Sequence, residues 1–195
     1  QLVRYFNEVH VIVKEYRNLE HEFKGDLNRE TGVTVILVLG ESARMESLGI
    51  YGSEHDTTPH LDRFAQKNPG NLLLFTDAVA AASYSRVSVP TMLSVCTLRE
   101  YNEMPRRPSI LKIMKSAGRD AVLISNQAMR GFHDSFISAF MEDAARRTYL
   151  KDSGHHYDEE LIPLLITELE GPGETSKLIL LHLSGSHYEY NANYP

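Results

Sequence analysis

Four short polar clusters in this 195-residue chain each follow an apolar, strand-sized run. Gly40-Glu41-Ser42-Ala43-Arg44 follows residues 33–39, and Ser83-Tyr84-Ser85-Arg86-Val87-Ser88-Val89-Pro90 comes shortly after 72–79. Ser125-Asn126-Gln127 follows 121–124, and Ser184-Gly185-Ser186-His187 follows 177–183. Open α/β sheets bind ligands at the carboxyl ends of their strands. A carboxylate, a hydroxyl at a helix start, an amide and an imidazole gathered there could hold a hard divalent metal and a phosphate. Each also has an ordinary role: Glu41 as a capping or surface carboxylate, Ser85 as an N-cap, His155 and His156 as a solvated loop. A Gly-x-Ser-x-Gly elbow, a P-loop and a Gly-x-Gly-x-x-Gly fingerprint are absent from the sequence, which disfavours the enzyme classes that depend on them.

The elements that would position these clusters follow from the apolar spacing. Leu2, Tyr5, Phe6, Val9, Ile12, Val13, Tyr16, Leu19 and Phe23 recur at steps of three and four, which predicts an amphipathic helix over 2–23. The continuous β-rich run 33–39 is long enough for a buried parallel strand and too short for a core helix. Thr58 and Pro59 predict a helix start, and 72–79 reads as a second strand. Pro90 has no N–H to donate, so it is expected in the first turn of a helix beginning between Ser85 and Ser88. A short helix over 108–117 stopped by Gly118, a strand at 121–124, a helix over 157–169 and a last strand over 177–183 complete the pattern. Strands alternating with helices at this spacing define an α/β domain with a mainly parallel sheet flanked by helices.

Composition narrows the function. Lys+Arg number 20 against 26 Asp+Glu, a formal net charge of −6, the wrong sign for a nucleic-acid binder. Cys96, the only cysteine, can form neither an internal disulfide nor a cysteine-rich zinc site. The chain holds no apolar run of the roughly 20 residues a spanning helix takes, and it begins at Gln1, so it is expected to be a soluble piece of a longer parent.

Val38-Leu39-Gly40-Glu41-Ser42-Ala43-Arg44, with Ser47-Leu48-Gly49-Ile50-Tyr51-Gly52 and Thr57-Thr58-Pro59-His60-Leu61-Asp62 behind it, resembles the opening of the catalytic domain of bacterial phosphoethanolamine transferases. Ser88-Val89-Pro90-Thr91-Met92-Leu93-Ser94 is similar to that family's Ser-Val-Pro block, whose nucleophile lies five residues before the proline, here Ser85. Ile124-Ser125-Asn126-Gln127 and Leu181-His182-Leu183-Ser184-Gly185-Ser186-His187, then Tyr194-Pro195, resemble two further blocks, so the likeness runs collinearly over 33–195.

The resemblance implies an alkaline-phosphatase and sulfatase type fold with a zinc-activated nucleophile. Ser85 would be that nucleophile and, with Glu41, a zinc ligand. His187 would hold the phosphoryl group or a second zinc, and Asn126 and Arg130 would meet the substrate phosphate or head group. The donor implied is phosphatidylethanolamine, and the acceptor a lipopolysaccharide or another envelope glycan. The site implied is the periplasmic face of a bacterial inner membrane. Residues 1–32 would be a juxtamembrane helix and linker, and 33–195 the N-terminal portion of the catalytic domain, joined to the membrane through a missing anchor.

The sequence departs from the family in two respects. The nucleophile position holds Ser where Thr is usual, with Ser83 as competitor if the alignment slips by two. The family's downstream Asp-His-Gly block, source of two more zinc ligands, is absent, so the chain alone is expected to hold zinc weakly and to lack activity. Two other readings are a hydrolase of the same superfamily, a phosphodiesterase or sulfatase, and a non-catalytic fragment. Ala82-Ser83-Tyr84-Ser85-Arg86 lacks the first residue and the proline of a sulfatase Cys/Ser-x-Pro-Ser-Arg block.

Overall fold

The structure, a computed structural model, describes residues 11, 13–18, 32–129, 136–171 and 176–187. Its centre is a 4-stranded sheet in the order β1-β4-β2-β3. The strands are β1 (Thr34–Leu39), β2 (Asp120–Ser125), β3 (Arg146–Tyr149) and β4 (Lys177–His182). Every pairing is parallel. All the carboxyl ends therefore lie on one edge. The register sets Leu39, His182, Ser125 and Tyr149 in a single row across that edge.

Alternation along the central strands divides the apolar residues between two layers, because successive strand side chains point to opposite faces. Ala121, Leu123, Leu178 and Leu180 enter the larger cluster, with Val89 and Leu93 from α2 (Ser85–Leu93), Leu111 from α3 (Ile110–Ser116) and Phe140 from α4 (Phe136–Met141). Val122, Ile124, Ile179 and Leu181 face the opposite way, toward Leu161, Leu164 and Leu165 of α5 (Leu161–Glu170). Each fully buried aliphatic side chain contributes about 1.5–3 kcal/mol relative to exposure, so these two central strands anchor the domain.

Three expectations need correction. Residues 72–79 form no strand: Leu73 and Phe75 are exposed, and nothing among the described residues pairs with this backbone. An apolar run becomes a strand only where a neighbour completes its ladder. The run at 33–39 does form a parallel strand, but one that is largely exposed among the described residues. β1 is an edge strand, and of its residues only Leu39 is buried, while Val38 is 55% exposed. Pro90 lies inside α2 rather than in its first turn, although the helix does begin at Ser85. The carbonyl of Arg86, which a non-proline residue 90 would cap, instead accepts the Tyr101 hydroxyl at 3.5 Å. Two elements had no clear sequence signal: β3, which opens on Arg146 and Arg147, and the short α4.

Of the helix expected over 2–23, residues 13–18 are helical and the remainder lies outside the described residues, apart from Val11. Val13 and Tyr16 are buried in the larger core cluster. The Tyr16 hydroxyl donates to Asp143 Oδ2, which also accepts from Ser109 Oγ at 2.6 Å. Ser109 in turn caps α3 by accepting the Lys112 N–H at 3.0 Å. Arg17 adds a two-pronged ion pair to Glu142 at 2.7 and 2.8 Å. This segment is thus clamped onto α3 and the end of α4.

Burial first, and then the Asp143 carboxylate, raise the Tyr16 phenol well above its ordinary value of 10. The folded state keeps that proton where the unfolded chain releases it, so stability falls as pH rises above about 10. Tyr16→Phe is expected to cost about 1–2 kcal/mol at pH 7, since Asp143 loses a donor. In urea melts the gap between wild type and variant should narrow as the pH is raised from 9 to 11; a constant gap would contradict this assignment.

Candidate active site

The carboxyl edge of the sheet opens into a cavity of about 650 Å³. Glu41, two residues beyond β1, and Ser85, the first residue of α2, both line it. The Ser85 hydroxyl donates to Glu41 Oε1 at 2.7 Å. Residue 42 follows in an uncommon conformation: Ser42 is the described non-glycine residue with positive φ, 54°, and its hydroxyl lies 3.3 Å from the same Glu41 oxygen. Non-glycine residues in the left-handed region cost free energy and persist only where the surroundings enforce them.

Gly185 provides part of that enforcement. Its φ is 52°, and a Cβ built on it would lie 2.9 Å from the Glu41 carbonyl oxygen and 3.1 Å from the Glu41 nitrogen. Only glycine lets the turn after β4 lie this close to Glu41. The Ser186 N–H then donates to the Glu41 carbonyl at 3.3 Å. The same turn carries His187, an exposed residue on the cavity wall.

The start of α2 is prepared for negative charge. The N–H groups of Val87 and Ser88 are taken by the Tyr84 carbonyl at 3.3 and 3.2 Å. Those of Ser85 and Arg86 have no acceptor among the described residues. Arg86 also lines the cavity, and its guanidinium makes no ion pair among the described residues. Arg86 on the cavity wall, with two N–H groups that have no acceptor among the described residues and a serine hydroxyl, suits a phosphoryl group. Ser83, by contrast, is exposed and is not part of the cavity wall.

The two remaining candidates are placed differently. Asn126 is fully buried behind the wall. Its Nδ2 donates to Asp158 Oδ1 at 2.8 Å and to the His156 carbonyl at 3.0 Å, while Oδ1 has no partner among the described residues. Flipping the amide would set oxygen against two acceptors, so this orientation is chemically determined. The geometry engages Asn126 Nδ2 with Asp158 and His156 and sets the residue behind the cavity wall rather than on it. Arg130 lies outside the described residues.

His182 and Gln127 line the cavity without having been singled out individually, as does Arg86. The last residue of the central strand β4, His182 is buried and lies 3.4 Å from Ser125 Oγ through Nδ1. The rule that selected Glu41 and His187, position at a strand's carboxyl end, also selects His182. Burial lowers its pKa from an ordinary 6.5 to about 4, against the opposing pull of Glu41 and Asp158. It therefore presents a neutral imidazole.

For zinc, the residues present supply two adjacent oxygen donors, Glu41 and Ser85. Among the described residues, no group of three or more His, Cys, Asp or Glu comes together to hold a metal. Zinc sites take three or four protein ligands, so the described donor set is part of such a site rather than a whole one.

The sulfatase family profile matches residues 33–195, and the chain belongs to that family. Within it, the chain is 28% identical over 166 residues to phosphoethanolamine transferase EptC of Escherichia coli O18:K1:H7, covering 83% of this chain and 28% of that protein. The crystal structure of the C-terminal periplasmic domain of EptC from Escherichia coli matches with a TM-score of 0.78 at 27% identity, over 85% of this chain and 46% of that one. The zinc complex of the same domain matches with a TM-score of 0.77 at 27% identity, over 85% and 47%. The chain thus spans 28% of the curated relative's length and somewhat under half of the solved domain. The expected fold, an α/β sheet of the alkaline-phosphatase and sulfatase type, is borne out. None of the described helices is long and apolar enough to cross a membrane.

The lowered pKa of His182 makes stability depend on pH. Between about 6.5 and 4 the unfolded chain takes up a proton that the folded chain refuses, so stability falls as pH drops through that window, by on the order of 3 kcal/mol. His182→Gln does not titrate and should lose this part of the acid slope. Denaturant melts at pH 7 and pH 4.5 test it, and equal slopes in the two proteins would contradict it.

Proposed function

We propose that this chain carries the nucleophile side of a phosphoethanolamine transferase. Residues 33–195 form the N-terminal portion of the catalytic domain, and 1–32 are a juxtamembrane helix and linker. The observation that carries the reading is the 2.7 Å hydrogen bond from Ser85 at the start of α2 to Glu41 beyond β1, inside a cavity that also holds Arg86 and His187. Membership of the sulfatase family and the likeness to EptC support it.

In this reading the donor is phosphatidylethanolamine, at the periplasmic face of a bacterial inner membrane. Ser85 Oγ attacks phosphorus, the bond from phosphorus to the glycerol oxygen breaks, and diacylglycerol leaves with a proton on that oxygen. Phosphoethanolamine remains esterified to Ser85 until a hydroxyl or phosphate of a lipopolysaccharide or related glycan takes it, returning the serine its proton. Before attack the Ser85 hydroxyl donates a hydrogen bond to Glu41 Oε1, which turns the oxygen's lone pairs away from the carboxylate, and the proton lost from Ser85 is the one that leaves on the glycerol oxygen. Arg86 and the open N–H groups of Ser85 and Arg86 receive the charge that builds on the phosphoryl oxygens. Glu41 and Ser85 would hold a zinc ion with ligands from beyond the described residues, and that ion would supply Lewis acidity and a lower pKa for the hydroxyl. His187 borders the phosphoryl position from the opposite loop.

In the enzyme carrying this chain, Ser85→Ala should abolish transfer from phosphatidylethanolamine, and Ser83→Ala should leave it intact. Arg86→Ala should lower kcat/KM about tenfold to a hundredfold, the worth of a charged hydrogen bond. Activity surviving in Ser85→Ala but lost in Ser83→Ala would overturn the assignment.

A further inference from the structure

Asp158 does not line the cavity, yet its carboxylate grips the turn that does. Oδ1 accepts the Ser184 N–H at 2.8 Å and the Asn126 side-chain amide at 2.8 Å, and Oδ2 accepts the Gly185 N–H at 2.7 Å. The same turn is held a third way, by Lys151 Nζ donating to Ser184 Oγ at 2.7 Å. On its other side the turn lies against Glu41, through the Ser186 N–H bond at 3.3 Å and the close approach of Gly185. Glu41 in turn receives the Ser85 hydroxyl.

We propose that Asp158 is a positioning residue for the reaction: by fixing the 184–187 turn, it sets the place of Glu41 against Ser85 and of His187 beside them. This rests on the functional reading above. Two successive backbone N–H groups and a buried amide converge on one carboxylate, and hydrogen bonds to a charged acceptor are the strong class. An apolar or neutral side chain at 158 would leave at least one of those donors unmatched, and the turn would relax away from Glu41. Substrate affinity would be largely kept, because Arg86 and the start of α2 stand on a separate element. The expected signature is therefore a loss in kcat with KM preserved.

The test uses the enzyme carrying this chain, with phosphatidylethanolamine in detergent micelles as donor. Asp158→Asn keeps the side-chain volume and turns one acceptor oxygen into a donor facing the Gly185 N–H. It should lower kcat about tenfold or more, with KM within about twofold, as expected for losing a charge-assisted bond. Amide hydrogen exchange at 184–187 should quicken while that of β2 and β4 stays slow. A wild-type kcat, or a loss that merely follows the folded fraction, overturns the inference.

Should Asp158→Asn fail to fold, Gly185→Ala decides. Its new Cβ must push the turn off Glu41 while Asp158 stays, and wild-type kcat there overturns the inference, whereas a lowered kcat at constant KM supports it. Ser85→Ala is run alongside. If it is inactive while Asp158→Asn is normal, the inference alone falls; if it is active, the functional reading falls and takes the inference with it.

Discussion

The hydrogen bond from Ser85 to Glu41 joins residues 44 apart in sequence, and most of the architecture contributes to keeping it short. Its two partners have no local reason to meet. Glu41 is placed by the end of β1, and Ser85 by the start of a helix whose apolar residues Val89 and Leu93 are packed into the larger core. Parallel pairing from β1 through β4 to β2 fixes the edge on which both emerge. The Gly185 turn then presses on the Glu41 backbone from the β4 side. Loosening any one of these supports would lengthen the contact without touching either side chain.

On the cavity wall and just behind it, the carboxyl ends of the central strands are unusually polar for a buried position. Ser125, Asn126, His182 and Ser184 are all buried. Burying such groups costs free energy unless hydrogen bonds compensate; for Asn126 and Ser184 the compensation comes from the segment 151–158, and the Ser125 hydroxyl accepts the Gln127 N–H at 3.0 Å. Asp158 takes the Asn126 amide and the turn after β4, Lys151 takes Ser184, and Asp152 accepts the Met129 N–H at 3.0 Å. The neutral state of His182 follows from the same dry setting. In the proposed reaction, a buried, hydrogen-bonded floor of this kind would keep donors aimed before substrate arrives, the condition under which fixed dipoles act most strongly on developing charge.

Much of this arrangement was legible in the residues. Apolar runs of strand length, each followed by polar groups, marked the edge on which Glu41, Ser125 and His187 are found, whereas Ser85 came from the family resemblance through its spacing to Pro90, with Ser83 as competitor. The failures share a physical cause, dependence on partners distant in the chain. Residues 72–79 have the composition of a strand, but a strand also needs a neighbour. β1 has the composition of a buried strand, but exposure depends on what covers it. Arg146 hides β3 from any apolar pattern, because its guanidinium is matched by Asp120 and Glu168 rather than by the core. For Asn126, only its neighbours Asp158 and His156 show that Nδ2 is engaged, which no local pattern could give. Asp158 itself, in the acidic first turn of a short 3-10 helix, carries no local signal of its hold on the turn after β4.

The central claim is that Ser85 carries the transferred group. It is tested most directly by mixing the enzyme carrying this chain with phosphatidylethanolamine in the absence of acceptor, quenching in acid, and mapping the adduct by peptide mass spectrometry. The account predicts one phosphoethanolamine on the peptide containing Ser85, fragmenting to that residue, and lost again when acceptor is added before the quench. An adduct on Ser83, on a histidine of the cavity, or on no residue at all while transfer proceeds would contradict it.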